Sequence, residues 1–175
     1  MAYRLACELS EKITAIAPIS GIAPLDKIPD NCRPVRAVPI IHLHGALDPC
    51  VPINGGMCGG CFAKITGQDP TKDQWACDSL DSYLTAWQQR YALPTPKNIL
   101  LNSIPCRESS NANTAIIECI DPTAGHTWPG GTYGRACENP SADSCNVIKK
   151  ILGPLNQNIS ANELMWNFFQ RYTLP

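Results

Sequence analysis

The chain has 175 residues, 17% of them charged and 44% apolar, with 14 basic against 15 acidic side chains and a net charge of −1. That length suits one domain with a core of useful size, and the composition is globular, not disordered. No basic stripe offers counterion release to a nucleic acid, no polybasic cluster addresses a membrane surface, and no apolar run nears the roughly 20 residues that span a bilayer.

The first ten residues, Met1-Ala-Tyr-Arg-Leu-Ala-Cys-Glu-Leu-Ser10, predict an amphipathic helix with Met1, Leu5 and Leu9 on one stripe and Arg4, Glu8, Glu11 and Lys12 toward water. Its periodic pattern runs from residue 1 with no Ser, Thr, Asp or Asn cap before it, as in a helix that has been cut. Two short runs, apolar on both faces, follow at 13–19 and 38–44 and suit strands of a parallel sheet covered by helices. Pro18 and Pro39 donate no ladder hydrogen bond and belong near strand ends. Residues 49–77, dense in Gly, Pro, Cys and Asp, read as a long loop pinned by disulfides.

A helix is expected at 78–91, with Leu80, Tyr83, Leu84 and Trp87 on its buried stripe. Strands are expected at 98–104 and 114–120, joined by a polar turn, then a Gly/Pro-rich loop at 121–146. The last helix, 160–172, opens on the capping box Ser160-Ala-Asn-Glu163. The order is α/β, but it supplies only about four strands, and the run at 13–19 is left as an open apolar edge. The expected architecture is a single, incomplete α/β domain over residues 1–175, a mostly parallel sheet flanked by helices with its amino-terminal half absent.

Ten cysteines in loop-like surroundings point to an oxidising compartment, secreted or periplasmic, although no signal peptide leads the chain. Cys137 with Cys145 and Cys106 with Cys119 are sensible pairs, while the full connectivity stays open. Cys58-Gly-Gly-Cys61 has the spacing of a zinc-binding pair, but a structural site needs a second pair and none exists, so no metal or other cofactor is expected.

Two segments carry the chemistry. In His42-Leu-His-Gly-Ala-Leu-Asp48-Pro-Cys-Val-Pro52 an acid lies just past a buried strand; in Ala124-Gly-His126-Thr-Trp-Pro-Gly-Gly131 a histidine lies in a Gly-rich loop after the last strand. Ligands of open α/β sheets collect at the carboxyl ends of the strands, and acid before histidine is the chain order of α/β-hydrolases. His42 and His44 are expected to be packed, hydrogen-bonded histidines, one on each side of the sheet.

These segments resemble the polyhydroxybutyrate depolymerase and feruloyl esterase family of α/β-hydrolases. The resemblance runs through Met1-Ala-Tyr-Arg-Leu-Ala6, Ala-Pro-Ile-Ser-Gly21, His42-Leu-His-Gly-Ala-Leu-Asp-Pro-Cys-Val-Pro-Ile-Asn-Gly-Gly56, Gly125-His-Thr-Trp-Pro-Gly-Gly131 and Ile159-Ser-Ala-Asn-Glu-Leu-Met-Trp-Asn-Phe-Phe169. It implies Asp48 as the triad acid, His126 as the general base and Trp128 as an aromatic wall beside the scissile ester. Apart from the resemblance, Trp75 is a further candidate to line an aromatic substrate cleft. The resemblance also implies a serine nucleophile in a Gly-x-Ser-x-Gly-Gly turn a few residues before the position of Met1, and no Gly-x-Ser-x-Gly occurs within the 175 residues. Ser20, after the first strand, is the nearest surrogate by topology.

The expected activity is therefore carboxylic-ester hydrolysis on small aromatic or aliphatic esters, polyesters or plant cell-wall esters, with no nucleic-acid or membrane partner. Two alternatives stand beside it. One is a non-catalytic truncated fragment or pseudoenzyme that binds a polymer or partner. The other is a self-associating mini-esterase whose copies, as a homo-oligomer, pair through the 13–19 edge and build a composite site.

Overall fold

A computed structural model describes residues 1–22 and 32–174. Helix α1 (Ala2–Glu8) comes first, then strand β1 (Ile40–Gly45). A cysteine-rich excursion follows, holding β2 (Gly56–Gly59), α2 (Cys61–Thr66), a 3-10 turn (Pro70–Asp73) and β3 (Gln74–Cys77). Helix α3 (Leu80–Arg90) leads to β4 (Lys97–Leu101), β5 (Ile104–Ser110) and β6 (Ala115–Asp121). The chain closes with a 3-10 turn (Gly134–Cys137) and helices α4 (Asp143–Leu152) and α5 (Ala161–Phe169). None of the helices among the described residues is long and apolar enough to cross a membrane.

The main sheet has the order β1-β6-β5-β4, with β1 parallel to β6 and the other two pairings antiparallel. It is an α/β sheet flanked by helices, but the expectation of a mostly parallel one is corrected to a mixed one. The cause is local. The run expected as one strand at 98–104 is broken by a hairpin in which Asn102 and Ser103 both have positive φ, 48° and 69°. Two left-handed residues in a row make a tight turn whose twist matches antiparallel strands, so β4 folds straight back on β5. Across the next turn, Asn111 Oδ1 accepts from the amides of Asn113 (2.9 Å) and Thr114 (3.1 Å), which sends the chain into β6.

The run at 13–19 forms no continuous strand. It meets β1 at two isolated parallel bridges, Ile16 with Ile40 and Ile19 with Leu43. Pro18 and Pro39 each remove a donor from this ladder, leaving the amides of Ile16 and Ser20 to donate to Pro39 (2.9 Å) and Leu43 (2.8 Å).

Each face of the sheet has its own core. Tyr3 of α1 and Leu80, Tyr83, Leu84 and Trp87 of α3 pack on Ile40 and Ile116. Leu164 and Phe168 of α5 pack on Ile41, Leu43, Ile104 and Ile117. Both helices start on a side-chain cap: Ser79 Oγ accepts from the Ser82 amide (3.1 Å), and Ser160 Oγ from the Glu163 amide (3.3 Å). Arg107 on β5 pins α3 to the sheet, pairing with Asp81 at 2.6 Å and with the buried Glu118.

Helix α1 differs from its expected orientation. Its buried residues are Tyr3, Ala6 and Cys7, whereas Met1 is 89% exposed and Leu9 36%. The stripe Met1–Leu5–Leu9 has the right helical spacing, but the aromatic ring of Tyr3 buries more apolar surface against Trp87 and Tyr83 and wins the core face.

Five disulfides are formed: Cys7–Cys32, Cys50–Cys61, Cys58–Cys77, Cys106–Cys119 and Cys137–Cys145. No described cysteine is free, which fits an extracellular or secreted protein. The two cysteines of Cys58-Gly-Gly-Cys61 go to different partners, one to β3 and the other back to Cys50.

Candidate acid–base site

Parallel pairing puts the carboxyl ends of β1 and β6 side by side, with Gly45 opposite Asp121. The loops that leave them are laced together at once. The Ala46 amide donates to the Asp121 carbonyl (2.8 Å) and the Leu47 amide to the Ala124 carbonyl (2.9 Å). Only glycine allows this approach, because a Cβ on Gly45 would collide with the carbonyl oxygens of Ala124 and Gly125.

Asp48 sits in the first of these loops, its side chain fully buried. Its Oδ1 accepts from the amides of Cys50 and Val51, both at 2.8 Å. Its Oδ2 lies 2.8 Å from His126 Nδ1 and 3.4 Å from His44 Nε2. Burial pushes the Asp48 carboxyl up, but bonds from His126, His44 and the Val51 amide outweigh it and hold the group well below the usual carboxylate range. The group is therefore an anion at neutral pH. An anion accepting from Nδ1 fixes His126 as the Nδ1–H tautomer and leaves Nε2 as the basic lone pair.

His126 is held from behind by helix α4. Its amide donates to the Leu152 carbonyl (2.6 Å), the Gly125 amide to Pro154 (2.8 Å), and Thr127 Oγ1 to Pro154 (3.1 Å). The His126 side chain is one-third exposed, so the base is reachable from solvent while the acid is not. Among the described residues nothing else hydrogen-bonds its Nε2.

Helix α4 falls partly within the stretch expected as loop at 121–146. Ile148, Ile151 and Leu152 carry the i, i+3, i+4 spacing that marks a helix, and the Gly/Pro-rich residues before them mask it. Ile151 and Leu152 pack against the Cys50–Cys61 cluster, so one helix end steadies both catalytic candidates.

The remaining candidates spread out. Trp128 is half exposed near His126 in sequence, its Nε1 donating to Asn162 Oδ1 (3.2 Å). Trp75 lies on β3, where its ring fills the space beside Gly59 and packs on the Cys50/Cys58 cluster. Ser20 is buried with φ of 48°, and among the described residues no hydrogen bond joins it to His126. His42 and His44 do not face opposite sides. A strand alternates every residue, so positions two apart share a face. Their rings stack 5.2 Å apart and bond to each other.

The donor atoms of Asp48, Cys50 and His126 lie within 4.8 Å of one another. Cys50 is spent in its disulfide with Cys61 and offers no thiolate, so this trio does not suit a metal.

No protein-family model and no solved structure matches the chain. It is similar to a protein of Nocardia uniformis subsp. tsuyamanensis described as "Putative esterase NocK", 24% identical over 140 residues, which covers 76% of this chain and 40% of that protein. The chain thus spans well under half the length of that curated relative. The similarity supports an esterase-like relationship.

Proposed function

We propose that the chain supplies the acid and the base of a serine-type carboxylic-ester hydrolase of the feruloyl esterase and polyester depolymerase kind. One observation carries the reading: a buried, doubly amide-bound Asp48 carboxylate 2.8 Å from Nδ1 of a solvent-reachable His126. In this reading His126 Nε2 takes the proton of the attacking hydroxyl as it adds to the ester carbonyl. It then gives that proton to the leaving alcohol, and activates water to release the acyl group. Asp48 keeps the imidazole in the productive tautomer and stabilises its cation. The nucleophile is assigned to a Gly-x-Ser-x-Gly-Gly turn leading into α1, as the family resemblance implies. Ser20 ranks below it, being buried and unbonded to the base. Trp128, half exposed, is assigned to the wall of the acyl site.

A second reading, self-association through residues 13–19, has its own support. Ile16 and Ser20 turn their amides to β1, while no backbone bond satisfies the amides of Ala17 and Ile19 among the described residues. Such an edge pairs with a further strand. A concentration series by analytical ultracentrifugation tests for that pairing, and a monomer throughout refutes it.

The main reading is tested by nitrophenyl-ester hydrolysis with the full-length gene product and its His126→Ala and Asp48→Ala variants. General acid–base catalysis accounts for roughly 10²–10⁴ in rate, so both variants should fall by at least about 100-fold. Three equal rates overturn the proposal.

A further inference from the structure

The two histidines of β1 are the observation that this reading leaves unused. His42 is wholly buried and His44 nearly so, yet neither is isolated. Tyr3 Oη lies 2.7 Å from His42 Nδ1, His42 Nε2 lies 2.9 Å from His44 Nδ1, and His44 Nε2 lies 2.8 Å from the Val51 carbonyl.

The proton positions follow by accounting. A carbonyl only accepts, so His44 Nε2 carries a hydrogen. In a neutral ring Nδ1 then accepts, so His42 Nε2 must donate to it. His42 Nδ1 is in turn an acceptor, and Tyr3 donates its hydroxyl hydrogen. Every atom of the chain is satisfied with one polarity, from α1 to the Asp48 loop. The reverse assignment, with a cationic His44, would turn His42 around and leave the Tyr3 hydroxyl hydrogen without an acceptor among the described residues. Burial, then the neighbouring His44, pushes His42 well below its ordinary value, so this ring takes no second proton. Burial, ahead of repulsion from Tyr83, Glu118 and Tyr91, raises the Tyr3 hydroxyl and keeps its proton in place.

The far end of the chain grips the acid. Val51 receives His44 at its carbonyl and gives its own amide to Asp48 Oδ1. His44 Nε2 also lies 3.4 Å from Asp48 Oδ2, the oxygen that meets His126. We propose that Tyr3, His42 and His44 form a one-directional buried relay that locks the Asp48 turn, with His44 the positioning residue that aims the Asp48 carboxylate at His126. The inference rests on the acid–base reading of that pair. It also ties α1, the helix that the family resemblance places next to the nucleophile, to the acid past the carboxyl end of β1.

Histidine ¹⁵N shifts of the folded, unmutated protein read the tautomers directly, with the three imidazoles assigned. The relay requires Nε2–H at His42 and His44 and Nδ1–H at His126; Nδ1–H at neutral His42 or His44 overturns it. His44→Phe should lower kcat by roughly 10–100-fold with KM little changed, as loss of a residue that orients a catalytic ligand does. It should also shift or broaden the His126 Nδ1–H resonance. His44→Gln, whose amide N–H reaches toward Val51, should restore most of both signals. A His44→Phe protein with the parent's kcat and the parent's His126 resonance overturns the positioning role. Failure of the esterase reading shows elsewhere, as ester hydrolysis indifferent to Asp48→Ala, and leaves the tautomer result standing.

Discussion

Replacing Asp48 by Asn keeps the shape of the side chain and removes its charge, which isolates what the carboxylate does. The amide can be placed two ways, and each fails. With its oxygen toward the Cys50 and Val51 amides, now each at 2.8 Å from Asp48 Oδ1, its NH₂ points at His126 Nδ1 and at the His44 Nε2–H. His126 must then accept at Nδ1 and carry its hydrogen on Nε2, the tautomer that cannot take a proton from a nucleophile. Turned over, the amide restores the His126 bond but sets its NH₂ against two backbone donors. Each buried donor left unsatisfied costs about 1–3 kcal/mol, so the first placement is preferred and the enzyme is left in the wrong tautomer. The comparable substitution in a serine-protease triad costs about 10⁴ in kcat, which is about 5.4 kcal/mol of activation free energy. Nitrophenyl-ester turnover and the His126 ¹⁵N shifts, taken on the same Asp48→Asn sample, check the two halves of the argument together. Turnover within tenfold of the parent, or a His126 that keeps Nδ1–H, refutes it.

Three further outcomes are expected. Gly125→Ala puts a Cβ into the Leu152 carbonyl and the Gly153 backbone, so the His126 loop must move; a stability loss of about 1–3 kcal/mol by urea denaturation should accompany a larger loss of turnover. Proteolytic mapping under non-reducing conditions should recover peptides linking Cys50 to Cys61 and Cys58 to Cys77, and a Cys58–Cys61 linkage would show the excursion after β1 to be folded differently. Because Asp48 ionises more readily folded than unfolded, its contribution to stability is complete above about pH 4 and is lost as the pH falls below that toward its depressed folded value. The urea midpoint of the parent should therefore drop more steeply between pH 5 and pH 3 than that of Asp48→Asn, and parallel curves would contradict the depressed acidity.

The elements legible in the sequence are those whose signal is local and unambiguous. The stripe Leu80–Tyr83–Leu84–Trp87 gives α3, and Ser160 with Glu163 gives the start of α5, because period and cap agree there. Asp48 and His126 stand out separately in the sequence, by position past a strand and by family resemblance, and their 2.8 Å contact needs the parallel register of β1 on β6, which no local pattern encodes. The readings that fail do so where local signals are weak or compete. Asn102-Ser103 is a hairpin turn without the glycine that advertises one, so β4 and the first residue of β5 read as one strand and the rest of β5 falls in the stretch expected to join it to 114–120. On α1 two stripes compete at helical spacing, and tertiary packing of Tyr3 decides between them. The period-2 rule does place His42 and His44 on one face; what it leaves out is that Tyr3, 39 residues from His42, completes their chain.

The same competition explains why the site needs so much scaffolding outside the sheet. A regular strand end supplies position but not aim, since a carboxylate on a free loop can rotate about two bonds. Here the Asp48 turn is fastened from three sides: by its own two amide donors, by the Cys50–Cys61 disulfide one residue beyond Pro49, and by His44 through Val51. His126 is fastened from α4 instead, by backbone bonds that use no side chain of its own. The acid is thus tied to β1 and the cysteine-rich excursion, and the base to the carboxyl-terminal helices. The two halves meet where Gly45 lets one backbone lie against the other. A substitution at that seam should hurt the pair more than it hurts the fold, because the cores on either face of the sheet draw their cohesion from α1, α3 and α5, and do not pass through it.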